Sequence, residues 1–122
     1  MNWTITVHHE KDYLEVVTSG CADPLKSLAM AKDISQRSEQ NQTHKILIDH
    51  LGITSICGHV VDVYNRPKQL DRIKGVRKAR IAEVVNMEHL DFFSFFETVC
   101  VNQGYDFRIF SEKECALKWL LD

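Results

Sequence analysis

The stretch ILIDHLG (46–52) opens on three consecutive branched aliphatic residues with nothing polar between them. A strand with one wet face alternates apolar and polar residues, whereas a strand covered on both faces does not. Ile46-Leu47-Ile48 therefore reads as a strand buried on both sides, the pattern of a parallel sheet. The residues after it, Asp49 to Gly58, contain two glycines and read as a loop.

The elements on either side extend this reading. Upstream, Leu25 to about Gln40 are good helix formers, with Leu25, Leu28 and Ala29 in one stripe and Met30 and Ile34 beside it. Asp23-Pro24 supplies an N-cap carboxylate and a proline at the first helical position. Trp3 to His8 and Tyr13 to Thr18 read as two strands of a hairpin, turning through the polar HHEKD (8–12) and ending at Gly20. Downstream, a helix begins near His59 with Val60, Val61, Val63 and Tyr64. Pro67 is expected to kink or split it near Arg66.

Ala79 to Val85 reads as a strand, and Asn86 as the cap of a helix running to about Asn102 and ended by Gly104. Phe107 to Phe110 is a last strand. Ser111 and Glu114 form a capping box before ALKWLL (116–121). The order is β-β-α-β-α-β-α-β-α. It specifies an α/β fold: a mainly parallel five-stranded sheet with right-handed crossovers and an N-terminal hairpin. A length of 122 residues suits a single domain, residues 1–122.

The composition, 44% hydrophobic and 26% charged, is that of a globular chain with its own core. A net charge of −2 argues against nucleic acid as a partner. No apolar run is long enough to cross a bilayer, and MNWTITVHHEKDY (1–13) does not read as a signal peptide, so the expected location is cytoplasmic. Cys21, Cys57, Cys100 and Cys115 form no C-x-x-C pair and read as small buried hydrophobes in a reducing compartment. The six histidines, with His8 and His9 pointing to opposite faces of a strand, have no metal-ligand spacing. No metal, cofactor or catalytic set is expected.

Two clusters stand out. DFFSFFETV (91–99) puts four phenylalanines into five positions. On a helix, Phe95, Val99, Phe92, Phe96, Cys100 and Phe93 span roughly 160° in that order. Phe92 and Phe96 fall mid-face and read as core, with Phe93 and Phe95 at the edges. The second cluster is Arg66, Lys68, Arg72, Lys74, Arg77, Lys78 and Arg80, seven of the chain's fifteen cationic residues. It reads either as a solvated helix end or as a surface for an anion or an acidic partner.

The C-terminal half carries a resemblance. FFETVCVNQGYDFRIF (95–110) followed by SEKECALKWL (111–120) resembles the stand-alone bacterial SpoIIAA-like proteins. These belong to the STAS superfamily of anti-sigma-factor antagonist domains. ILIDHLG (46–52) and ARIAEVV (79–85) match more weakly, and the N-terminal part agrees in element order. The resemblance implies a SpoIIAA-like (STAS-like) sheet with four helices. Phosphorylated members carry a D-S-S-G-type stretch at the helix start, where ITSICG (53–58) stands here, so a phosphorylation switch at Ser55 is not expected.

The leading expectation is a non-enzymatic binding domain. Its ligand is lipid-like or apolar and anionic, seated between the proline-containing helix and the phenylalanines at Val60, Tyr64, Phe93 and Phe95. Arg66, Lys68, Arg72 and Lys74 would contact an anionic head group or a membrane surface, making the protein peripheral there. The alternative is a regulatory protein-interaction module meeting its partner at the helix start formed by Ser55, Cys57 and Gly58.

Overall fold

A computed structural model describes all 122 residues apart from the side chain of Val60. Strands β1 (Asn2–His8) and β2 (Tyr13–Ala22) pair antiparallel, from Asn2 opposite Ser19 to His8 opposite Tyr13. Strands β3 (Lys45–Ile56), β4 (Arg80–Val84) and β5 (Asp106–Phe110) then add in parallel, so the sheet runs in chain order, β1-β2-β3-β4-β5. Four helices join the strands: α1 (Pro24–Asn41), α2 (Val60–Leu70), α3 (Leu90–Asn102) and α4 (Lys113–Leu121). Short 3-10 turns at Val76–Lys78 and Met87–His89 precede β4 and α3. This is the α/β order that the sequence specifies.

Strand alternation divides the core in two. Val16, Ile48 and Glu83 share one row across β2, β3 and β4. Leu14, Val16, Ile46 and Ile48 from this face pack with Met30 and Ile34 of α1. Ile81 and Phe107, on the same face, pack with Phe96 and Cys100 of α3 and Leu70 of α2. The opposite face carries Leu47, Ala82 and Val84 against Ala116 and Leu120 of α4. Three helices thus cover one face and one helix covers the other.

Several local expectations are corrected. β3 does not stop at Ile48 but continues to Ile56, because β2 pairs with it as far as Ala22 opposite Ile56. Gly52 lies inside this strand. A Cβ there would sit 2.6 Å from the Thr18 carbonyl oxygen, so only glycine lets β2 approach this closely. Pro67 does not split α2, which runs on to Leu70. The proline sits near the end of the helix, so the loss of one amide donor is confined to its last turns, and the ring is fully buried. Its carbonyl accepts from Tyr105 Oη and from the Asp71 amide, each at 3.0 Å.

The caps divide as well. Asp23 Oδ1 accepts from the Leu25 amide at 2.9 Å and the Lys26 amide at 3.2 Å, the N-cap read from the sequence. Asn86 caps nothing with its side chain, which donates instead to the Leu51 carbonyl at 2.9 Å. The Ser111 capping box does not form, because α4 starts one residue later than that box requires, with Glu112 as N-cap. Gly104 takes a left-handed φ of 89° just beyond α3.

Candidate functional site

The sheet face beneath α1, α2 and α3 is not fully filled. A cavity of about 170 Å³ remains there, with walls including Met30, Ile34, Ile48, Ile81, Phe93 and Phe96. Among the buried polar side chains of this apolar region, His50, Glu83 and Arg66 stand in the cavity wall and Thr18 lies behind His50, and sheet geometry explains three of these four. Thr18 and His50 lie two residues beyond Val16 and Ile48 on the same face, and Glu83 stands in the Val16–Ile48 row. The fourth, Arg66, descends from α2.

These four are buried, with 1% of Thr18, 6% of His50, 4% of Glu83 and 8% of Arg66 exposed. His50 Nδ1 and Thr18 Oγ1 are 2.7 Å apart, and Thr18 Oγ1 also donates to the Asp49 carbonyl at 3.2 Å. The His50 ring stacks on Phe93 with centroids 5.1 Å apart. Its Nε2 lies 3.3 Å from Glu83 Oε1, within ion-pair range but without hydrogen-bond alignment. Arg66 Nη2 donates to the Pro24 carbonyl at 2.6 Å and to Ser27 Oγ at 2.9 Å.

Two polar atoms here have no hydrogen-bond partner among the described residues: Arg66 Nη1 and Glu83 Oε1. Burial pulls the Arg66 guanidinium below its ordinary pKa, against the pull of Asp62. Cys100, also on the cavity wall, has its thiol pushed up to about 12, by burial first and by Glu83 second. A thiol held protonated in this way is a poor nucleophile.

The structure separates the residues singled out in the sequence. Phe93 is the most buried of the four phenylalanines and lines the cavity together with Phe92 and Phe96. This reverses the expected ranking, because the Phe93 ring is the one pressed between His50 and the edge of Phe92. Phe95 instead meets Tyr64 edge-on at 5.4 Å, and Tyr64 is 59% exposed. That pair lies outside the cavity wall. The Val60 side chain lies outside the described residues.

The basic run does not form one surface. Arg66 is turned inward, so it is not an exposed anion contact. Arg77 pairs with Asp71 at 2.8 Å and lies over the Tyr105 ring. Arg80 reaches Asp106 at 3.3 Å and covers Trp119. Lys74 is 3.9 Å from Glu39, while Lys68 and Arg72 are exposed. Among the described residues no helix is long and apolar enough to cross a membrane, and no group of three metal-binding side chains is assembled.

The expected helix start is also rearranged. Ser55 is in β3, opposite Cys21, and the N-cap of α2 is His59. The Asp62 carboxylate accepts from the His59 amide at 2.8 Å. Cys57 is joined to Cys21 by a disulfide, with Cα atoms 6.2 Å apart, so it is not a free thiol. The expectation of four reduced cysteines fails because β2 and β3 extend further than their hydrophobic patterns and bring these two together. Gly58 is at the cavity wall against Pro24.

Sequence reasoning missed Thr18, His50 and Glu83. One signal was present: Glu83 is a carboxyl group inside ARIAEVV (79–85), a strand that is otherwise apolar apart from its first residues. In a strand covered on both faces, such a residue is forced into the interior.

No family model and no curated protein matches the chain. Solved structures do. One is an uncharacterised protein of the DUF3478 family with a SpoIIAA-like fold, from Shewanella loihica PV-4. It is 16% identical with a TM-score of 0.56, over 98% of this chain and 92% of that one. Another is the anti-sigma-factor antagonist SpoIIAA in its unphosphorylated form. It is 12% identical with a TM-score of 0.54, over 97% of this chain and 96% of that one. Sequential strand order, three helices on one face and near-complete coverage of both neighbours agree: the chain has the SpoIIAA-like fold.

Proposed function

We propose that the chain is a non-enzymatic binding module that works through a protein partner. The observation that carries this reading is the alignment of 97% of the chain with an anti-sigma-factor antagonist. The surface around the end of β3 and the start of α2 adds to it: Val61 is 66% and Tyr64 is 59% exposed. Ser55 and Gly58 border the same region. Ser55 lies within a strand, away from the free amides of a helix start, so a phosphate there would lack the cradle that such amides provide.

Affinity capture with the intact protein tests the reading, comparing wild type with Ser55→Glu and Val61→Asp. One partner is expected to be retained by wild type and reduced at least about tenfold by either substitution, the usual weight of an interface anchor. Equal capture by all three proteins, with unchanged thermal unfolding, would remove it.

A second reading rests on the cavity. At about 170 Å³ it compares with the roughly 150 Å³ engineered cavity that admits benzene. It is smaller than the ~300 Å³ lower end of drug-sized ligand pockets. The lipid-like ligand suggested by the sequence therefore shrinks to one ring or a short branched chain. The dispersal of the basic run gives no separate support to a membrane surface.

A further inference from the structure

We propose that the cavity takes an uncharged, ring-sized molecule whose polar end accepts a hydrogen bond from Arg66 Nη1 and donates one to Glu83 Oε1. This rests on reading the cavity as a ligand chamber and adds the chemistry of its occupant. Buried polar atoms are nearly always hydrogen-bonded, and one left without a partner is destabilising. Here a donor and an acceptor are left without a hydrogen bond in one chamber, on residues 8% and 4% exposed, with His50 Nε2 at 3.3 Å the one charged neighbour of Glu83 Oε1 among the described ion pairs. They belong to groups of opposite formal charge. A bound anion would gain from Arg66 but meet Glu83, and a cation would meet the reverse. A neutral group that gives and takes a hydrogen bond suits both.

The rest of the wall sets the body of the ligand. Phe93 is held by His50 on one side and Phe92 on another, and Phe96 is held edge-on against Phe107 at 5.3 Å. These rings are fixed by their neighbours and present apolar surface to the void. A hydroxylated or amide-bearing aromatic ring matches the apolar wall, the volume and both unpaired atoms together.

Phenol and toluene, nearly equal in size, are the probes, with benzoate as the charged comparison. Binding to the intact protein is followed by chemical-shift titration of the methyl groups of Met30 and Ile48. Phenol is expected to bind about tenfold more tightly than toluene, the weight of a satisfied buried hydrogen bond. Benzoate is expected to bind more weakly than phenol. Arg66→Met should bring phenol and toluene within about twofold. Ala31→Phe, which fills the chamber from α1, should abolish both; it serves where Arg66→Met fails to fold.

Equal affinity for phenol and toluene in the wild type would overturn the assigned polar end and leave the chamber. Benzoate binding more tightly than phenol would overturn the uncharged ligand. Binding of neither ring would overturn the chamber itself and return its polar atoms to ordered water. None of these results bears on the protein-partner reading.

Discussion

On the α4 side of the sheet, Leu47, Ala82, Val84, Ala116 and Leu120 are all 0% exposed. On the other side the same strands support three helices and still leave a void of about 170 Å³. The polar groups differ in the same sense. Glu15, reaching the α4 side, is held by Lys113 and His8. Glu83 and Arg66, on the chamber side, each keep one atom without a hydrogen bond. One helix laid across two central strands closes a seam, whereas three helices meeting over a sheet leave a gap at their junction. The closed side serves stability, and the side with room left in it is where binding is to be sought.

The largest expected effect breaks the tie at the chamber rim. The Cys21–Cys57 link closes a loop of 36 residues, a separation for which chain entropy gives about 4 kcal/mol. Urea unfolding with and without reductant should show a loss of that order, absent in the Cys21→Ser, Cys57→Ser double variant, which starts destabilised. Unchanged stability on reduction would mean that packing alone holds the three-helix side.

Next comes a matched pair of enlargements. Ala116→Leu, on the closed side, should destabilise by about 2 kcal/mol through overpacking. Ala31→Leu, facing the void, should be neutral or stabilise by about 1 kcal/mol through filling. Denaturant midpoints for both variants decide it. Equal losses would mean that the two sides are packed alike.

The smallest effect concerns acid. Burial raises the pKa of Glu15, but hydrogen bonds from Lys113 and His8 outweigh it and hold the carboxyl below its ordinary value of 4.5. A carboxylate depressed in the folded state contributes stability in full above that ordinary value. The contribution is lost as the pH falls through the lower, folded value. Glu15→Gln should therefore lower the urea midpoint at pH 7 and flatten its decline below pH 4.5. An unaltered acid profile would show that the contact with α4 carries no weight.

The fold was legible because its signals are local. Ile46-Leu47-Ile48 announced a strand covered twice, and Asp23-Pro24 marked a helix start to the residue. What escaped depends on partners distant in the chain. β3 runs on past Ile48 only because β2 offers it ladder partners up to Ala22, so Gly52 looked like a loop and was a close approach. Pro67 looked like a break, but its position close to the end of α2 and its burial against Tyr105 absorb the lost donor. Phe93 outranked Phe92 and Phe96 because His50 stands beneath it, and nothing in DFFSFFETV reveals His50. The site was harder still. The basic run is contiguous in sequence, yet Arg66, Arg77 and Arg80 leave it for a carbonyl, a tyrosine and a tryptophan. The pairing of Cys21 with Cys57 required a register that spacing does not give.

The sequential order of the strands has a consequence for how the molecule assembles. Every ladder joins strands adjacent in the chain, which keeps loop closures short and favours rapid folding. The exception is α4, which the ribosome makes after all five strands yet which must return to β3 and β4. Until it docks, Leu47, Ala82 and Val84 face water as an oily surface on a nascent sheet. The tightest seam of the finished protein is thus its most vulnerable one during synthesis.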